Sequence, residues 1–208
     1  MFIAALAVYF LTLCPTVFTG DSGEIITASS CLGIAHPPGY PTFSLIGKLF
    51  IVFTPGTNPA RCVNLASAAL AALAIFFLFK TLVLMFKRFE EQHFTAPAAS
   101  AAACLLLAFS AAYWSQALMA KGGLYILDAL FISLIIYFMA RADKNSLMAV
   151  SFLSGLALTN HHTFIGFIPS IILFAVFYRK NLVLFDFRRV VKVILFFILG
   201  LSLYFYIP

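Results

Sequence analysis

Long apolar runs, separated by short charged segments, are the feature that most restricts the fold of this chain. Residues 62–86 would form a helix about 37 Å long, enough to cross a hydrocarbon core of roughly 30 Å with some tilt. Apolar residues make up 63% of the 208 residues and charged residues only 10%, whereas soluble domains have roughly 45–50% and 25%. We therefore predict an all-α, polytopic transmembrane helical bundle that forms a single domain over residues 1–208.

Seven apolar segments are candidates for membrane spans. We place them at about 2–18, 62–86, 96–114, 123–140, 147–160, 162–178 and 193–207. The fifth and sixth come from one stretch, 147–178, which as a single helix of about 48 Å would be too long for one crossing. We divide it at Thr159-Asn160-His161-His162-Thr163, because broken membrane helices usually line a cavity that solvates their free backbone groups. The chain stops at Pro208 with no polar tail, so we expect an N-terminal fragment of a longer protein.

The distribution of lysine and arginine predicts the orientation of the bundle. With a cytoplasmic N-terminus, nine of the thirteen basic residues fall in the loops 87–95, 141–146 and 179–192, in agreement with the positive-inside rule. The net charge of +6 therefore indicates topology, and no basic patch suited to nucleic acid is present. The extracytoplasmic side receives residues 19–61, 114–122 and 159–163. We predict one site on that side of an integral multi-pass protein, in either a bacterial inner membrane or the endoplasmic reticulum membrane.

The sequence GDSGEIITASSCLGIAHPPGYP begins at Gly20 and stands between two apolar runs. Asp21 and Glu24 have the spacing of a capping box, with Asp21 at the N-cap and Glu24 at the third helical position. This spacing predicts an interfacial helix at about 22–32, and the proline-stiffened segment that follows leads to a second one at about 42–53. A carboxylate beside a rigid loop that carries a histidine is also suited to act as a general base, and capping and catalysis do not exclude each other.

This stretch closely resembles the N-terminal signature of a broad membrane family in the GT-C superfamily, whose best-understood members are protein O-mannosyltransferases of the endoplasmic reticulum. The resemblance rests on DSGE followed by HPPGYP, and on NLASAALAAL, WSQAL and GLALTNHHT further along the chain. It covers most of the chain. It implies a GT-C-like bundle that transfers a mannose-like hexose from a polyprenyl or dolichyl phosphate to a hydroxyl group of a protein or glycan. The lipid-linked sugar would be a co-substrate, and no separate cofactor is implied.

The same resemblance implies that Asp21 is the catalytic base and that Glu24 lies close by, and we predict both as catalytic residues. Transfer also requires a group that stabilises the leaving phosphate, and Lys121, His161 and His162 are candidates because each would lie at the outer end of a span. Snorkelling of the lysine to the interface and capping of the helix elbow by the histidines are equal alternatives. The remaining candidates for substrate contacts are His36, Tyr40 and Gln116.

One departure from the family pattern lies at Ala120-Lys121-Gly122-Gly123-Leu124-Tyr125. Many relatives carry a glutamate after the WSQ motif, in an Ala-Glu-Val-Tyr-like stretch. This chain has a lysine there, with what looks like a small insertion. The donor, the acceptor or the activity itself could therefore differ from those of the better-known members.

Other classes of site and function stay open on the sequence alone. A divalent metal could bind Asp21, Glu24 and His36, but no ligand spacing compels it, and we predict no metal site. A small-solute or lipid transporter would also use broken helices, although it would usually show internal repeats, which we do not find. A non-catalytic membrane scaffold is the third class, and the missing glutamate makes it a real alternative.

Overall fold

The computed structural model describes residues 1–89, 95–143, 145–178 and 187–206. Within these ranges the ordered elements are helices and no β-strand is present, which confirms the predicted all-α class. The α-helices are α1 (Phe2–Leu11), α2 (Ser22–Cys31), α3 (Pro41–Phe53), α4 (Pro59–Phe89), α5 (Ala96–Ala108), α6 (Ala111–Ala117), α7 (Ala120–Arg141), α8 (Ser146–Asn160), α9 (Ile168–Tyr178) and α10 (Phe187–Leu201). Two 3-10 helices cover His162–Phe167 and Ser202–Tyr206.

Helices α4 and α7 pack along each other and form the centre of the bundle. Residues Pro59–Lys87 of α4 and all of α7 are long and apolar enough to cross a membrane. The interior face of α4 is rich in buried alanine, including Ala68, Ala71 and Ala72. Small side chains allow helix backbones to approach closely, which is how helices associate in lipid. A third crossing results if α5 and α6 are counted as one bent span.

The first predicted span, 2–18, is helical only as far as Leu11. The Thr12 hydroxyl donates to the Val8 carbonyl at 2.8 Å at this end. The chain that follows is held by Asn64 of α4, whose Nδ2 donates to the carbonyls of Cys14 and Thr16 at 2.9 and 3.0 Å. The predicted helix is therefore too long. The contacts of the buried Asn64 amide stabilise an irregular segment where we expected the helix to continue.

The predicted span 96–114 is broken. Helices α5 and α6 meet at an angle of 67°, and Ser110 caps α6 by accepting a hydrogen bond from the Tyr113 N–H at 3.4 Å. Residues 114–122, which we placed between two spans, form the end of helix α6, a short connection and the first turn of α7. Gly122 makes this possible, because any side chain there would collide with the main chain of Gln116.

The break in the apolar stretch 147–178 falls at His161, which is extended with φ −149° and ψ 129°. The segment after it starts as the 3-10 helix His162–Phe167. The α-helix that we predicted from residue 162 therefore begins only at Ile168. Helix α10 starts earlier than the predicted 193 and gives way to a 3-10 helix after Leu201.

Part of the predicted cytoplasmic loops lies outside the described residues. This applies to residues 90–94, to Lys144, and to residues 179–186, which include Arg179 and Lys180. The orientation of the chain in a membrane thus stays a prediction from the sequence.

Candidate active site

The polar residues singled out in the sequence meet at one end of the bundle, where α2, α3, α4 and α7 begin and α8 ends. We call this the site end. The Thr42 and Thr159 hydroxyls contact each other at 2.5 Å and join α3 to α8. The Lys121 N–H donates to the Ser22 hydroxyl at 3.4 Å and joins α7 to α2. These contacts bring together segments that are far apart in the sequence.

Asp21 forms an ion pair with Lys121 at the site end. Its Oδ2 lies 2.9 Å from Lys121 Nζ, and the two side chains are 46% and 38% exposed. Asp21 occupies the N-cap position of α2, but its side chain makes no capping hydrogen bond, so the predicted capping role is wrong. The hydrogen bond and the positive charge of Lys121 hold the pKa of Asp21 below its ordinary value, with a smaller contribution from His36. The carboxylate is therefore ionised at neutral pH.

Glu24 fastens the HPPGYP loop to α2. Its Oε1 accepts a hydrogen bond from the His36 main-chain N–H at 2.5 Å, and its Oε2 lies 2.8 Å from His36 Nδ1. These bonds lower the pKa of Glu24. A capping box would instead direct Glu24 toward the backbone at the start of its own helix. The second half of the predicted capping box is therefore also wrong, because the loop offers better donors.

The contacts continue from His36 through Tyr40 to the elbow. With Nδ1 donating to Glu24, a neutral His36 ring accepts at Nε2, and the Tyr40 hydroxyl lies 2.9 Å from that atom. Tyr40 is buried and stacks on His161 with ring centroids 5.6 Å apart. Burial raises the pKa of Tyr40, so its phenol stays protonated and can donate to His36. His161 in turn stacks on His162 at 4.9 Å.

The two histidines of the elbow differ in surroundings. His161 is 8% exposed, and its Nδ1 lies 2.8 Å from the Thr163 hydroxyl. Burial, followed by the charges of His162 and His36, lowers the pKa of His161, which favours a neutral ring. A neutral, stacked ring is poorly suited to stabilise a phosphate. His162 is exposed at the end of the stack, so of the two it is better placed for a substrate contact.

Gln116 reaches the site end through its main chain, which lies against Gly122 one residue from Lys121. Its side chain is half-buried. The structure thus brings Asp21 and Lys121 into one contact, and Glu24, His36, Tyr40, His161 and His162 into a second, continuous series of contacts.

Two buried asparagines hold the site end together, and we did not predict either of them as a site residue from the sequence. Asn64 fixes the segment before Asp21, as described above. Asn160 is fully buried, and its Nδ2 donates to Asp128 Oδ1 at 2.7 Å and to the Leu124 carbonyl at 2.8 Å, which ties α8 to α7. An amide within an apolar run is the signal that could have found them, because a polar group in such surroundings requires a partner.

The described residues contain no cluster of three His, Cys, Asp or Glu side chains that could hold a metal ion. A cavity of about 300 Å³ lies between α7 and the helical segment after the elbow. Its lining is almost entirely apolar and consists of Ile132, Ile135, Ile136, Met139, Phe164, Phe167, Ser170 and Ile171. The site end is thus polar, and the space beside α7 is suited to hydrocarbon.

These features define a class: a membrane protein whose described residues are all helical, with two or three candidate spans among them and an ion-paired carboxylate at one end. The chain belongs to the family described as the N-terminal domain of the protein O-mannosyl-transferase TMEM260, whose profile matches residues 21–184. The match begins at Asp21.

Two curated relatives carry the same name. Protein O-mannosyl-transferase TMEM260 of Mus musculus is 33% identical over 219 aligned residues, which cover 100% of this chain and 29% of the mouse protein. The tmem260 protein of Dictyostelium discoideum is 34% identical over 86 residues, covering 40% of this chain and 10% of that protein. The chain thus spans less than a third of the length of either relative. No solved structure matches it.

Proposed function

We propose that this chain carries the catalytic carboxylate of a membrane O-mannosyltransferase. The enzyme would move a mannose-like hexose from a polyprenyl or dolichyl phosphate to an acceptor hydroxyl, on the lumenal side of the endoplasmic reticulum membrane. Family membership and the names of the two relatives support the transferase class. The observation that carries the assignment to this site is the contact between Asp21 and Lys121 at the site end.

The two charges suit the two demands of the reaction. Asp21 removes the proton from the acceptor hydroxyl, and the acceptor oxygen forms a bond to the anomeric carbon. The bond between that carbon and the phosphate oxygen breaks, and its electron pair leaves with the lipid phosphate. Lys121 stabilises the negative charge that grows on the phosphate. General-base catalysis and electrostatic stabilisation of the leaving group both act mainly in the transition state, where they accelerate the reaction.

Glu24, His36 and Tyr40 position the site in this proposal. Both carboxylate oxygens of Glu24 are in hydrogen-bond contact with His36, and His36 Nε2 is in contact with the Tyr40 hydroxyl. Glu24 is therefore a positioning residue in this proposal, which revises its predicted role as a catalytic residue. His162 and Gln116 remain candidates for contacts with the sugar or the acceptor.

A reconstituted transfer assay tests the proposal. The full-length protein in liposomes would receive radiolabelled dolichyl-phosphate mannose and peptides rich in serine and threonine, with heat-inactivated protein as the control. We expect label on the peptides. Movement of small solutes or lipid across the liposomes without transfer would indicate a transporter, and the absence of both would indicate a scaffold.

A further inference from the structure

The structure offers one inference about Lys121 that rests on the proposed function and extends it. We propose that the Asp21–Lys121 ion pair is exchanged when the donor binds. In the donor-free site, the ammonium of Lys121 holds the carboxylate of Asp21. The donor phosphate then takes the ammonium and releases the carboxylate to act as a base.

The lysine side chain lies where it can move without disturbing the core. Its terminal part passes over Gly20: a Cβ atom at Gly20 would come within 3.1 Å of Nζ and 3.3 Å of Cδ. Gly20 has φ +72°, a backbone conformation that favours glycine. The Lys121 side chain is 38% exposed, and its flexible stem ends in a compact charge with three donors. A change of rotamer is therefore enough to change its partner.

The backbones that carry the two charges are fixed relative to each other. Ser22, next to Asp21, is fully buried and accepts the Lys121 N–H. On the other side of the lysine, Gly122 lies against the main chain of Gln116 with no room for a side chain. The start of α2 and the start of α7 thus cannot separate easily, and the exchange is confined to the lysine side chain.

The charges around Asp21 explain why the exchange matters. Lys121 approaches from α7 and His36 from the loop, the negative Glu24 lies on the same helix, and the tyrosines Tyr40 and Tyr125 lie nearby. Lys121 is the main cause of the low pKa of Asp21. A general base works best when its pKa is near the operating pH, so the lysine makes Asp21 a weak base while it stays in place. A bound phosphate removes that effect and adds a negative charge nearby, and both changes strengthen the base.

Carbodiimide cross-linking tests the exchange without measuring activity. The reagent activates a carboxylate, and an adjacent amine then displaces it to form an amide while the carbodiimide leaves as a urea. In the full-length protein without donor, we expect an amide between Asp21 and Lys121, seen by mass spectrometry as one cross-linked peptide pair. Saturating dolichyl phosphate should reduce this product at least fivefold, whereas uncharged dolichol should not. Modification of Asp143, whose partner Arg141 forms no such amide, serves as the internal control.

Kinetic measurements on Lys121 variants test the exchange separately from the proposed function. Lys121→Met should raise the KM for the donor about tenfold or more and move the acid limb of kcat/KM to higher pH, and Lys121→Arg should restore much of the KM. An Asp21–Lys121 cross-link that never forms, or that dolichyl phosphate does not reduce, would overturn the exchange even if sugar transfer is observed. Protection by dolichyl phosphate in a protein that transfers no sugar would support the exchange while the proposed function fails.

Discussion

Asp21 and Glu24 stand three residues apart at the start of one helix and bind different partners. Asp21 pairs with a lysine from α7. Glu24 contacts the main-chain N–H and the ring Nδ1 of a histidine in the loop that follows the helix. Their spacing predicts reciprocal capping of their own helix, which is the contact available to an isolated segment. Tertiary contacts supply hydrogen-bond donors for both carboxylates, and hydrogen bonds to an ionised carboxylate are stronger than neutral ones. The local pattern therefore located the carboxylates but assigned them the wrong partners.

Substitutions at Glu24 distinguish a positioning role from a catalytic one. Glu24→Gln keeps an oxygen that can accept the His36 N–H, so we expect transfer to fall only about threefold. Glu24→Ala removes both acceptors from a half-exposed site, and we expect a fall of roughly tenfold, the size of effect that one hydrogen bond to a charged group produces. Amide hydrogen exchange should also become faster at His36 in the alanine variant. A loss of about 10² or more in Glu24→Gln with unchanged exchange would indicate direct participation in the chemistry.

The two carboxylates also predict how stability depends on pH. Both have pKa values lowered by folding, so their contribution to stability is complete above the ordinary carboxyl pKa, about 4, and is lost as the pH falls through the lowered values. The melting temperature of the wild type should therefore fall more steeply below about pH 4 than that of Asp21→Asn. Equal slopes for the two proteins would contradict the folded-state ion pair.

At the scale of elements, the sequence predicts helix positions better than helix ends. The division of the apolar stretch 147–178 rested on local polar residues, and the break lies at His161. The bend between α5 and α6 has no proline or charge at the junction, and the segment after α1 is held by Asn64, fifty residues from Cys14. Contacts of that kind leave no local pattern, because they depend on which helices pack together.

The crossing of α8 and α10 gives a prediction at this scale. Gly155 and Gly200 face each other there, and a Cβ at Gly155 would collide with the Phe197 carbonyl. Overpacking of this kind typically costs about 1–3 kcal/mol, and the better helix propensity of alanine offsets about 1 kcal/mol of it. We expect Gly155→Ala to lower the melting temperature of the protein in detergent.

Gly166→Ala is the matched control for that experiment. Gly166 lies after the elbow, and a Cβ there would meet nothing within 4 Å. Its substitution should leave the melting temperature almost unchanged. If both variants melt like the wild type, α8 and α10 do not cross as closely as described.

At the scale of the whole molecule, the predicted membrane topology placed the site residues on one side of the membrane. Apolar runs and basic loops placed residues 19–61, 114–122 and 159–163 on one side, and the structure brings their polar residues together at one end of the bundle. The sequence could not show which of them touch. The partner of Asp21 is Lys121, and the partner of Tyr40 is His161, because helix packing decides these pairs.

Cysteine labelling tests the orientation of the bundle. Two exposed residues are suitable positions for a reporter cysteine: Thr57 at the site end and Asn145 at the opposite end. Each would be changed to cysteine in a Cys31→Ser background, since Cys31 is itself exposed. In sealed vesicles of known orientation, a membrane-impermeant maleimide should label position 57 only from the lumenal side and position 145 only from the cytoplasmic side. The reverse pattern would place the site in the cytoplasm.

The most direct test of the central claim is the rate of mannose transfer by Asp21→Asn in the full-length protein. Asparagine matches aspartate in shape but cannot accept the proton, and loss of a general base typically costs about 10²–10⁴ in rate. Asp143→Asn is the matched control, because Asp143 is also ion-paired, 3.1 Å from Arg141, but lies at the opposite end of α7. We predict that Asp21→Asn stays folded and inserted and loses transfer by at least about 10², while Asp143→Asn stays near the wild-type rate. Near-normal transfer by a folded Asp21→Asn protein would contradict the assignment of Asp21 as the base.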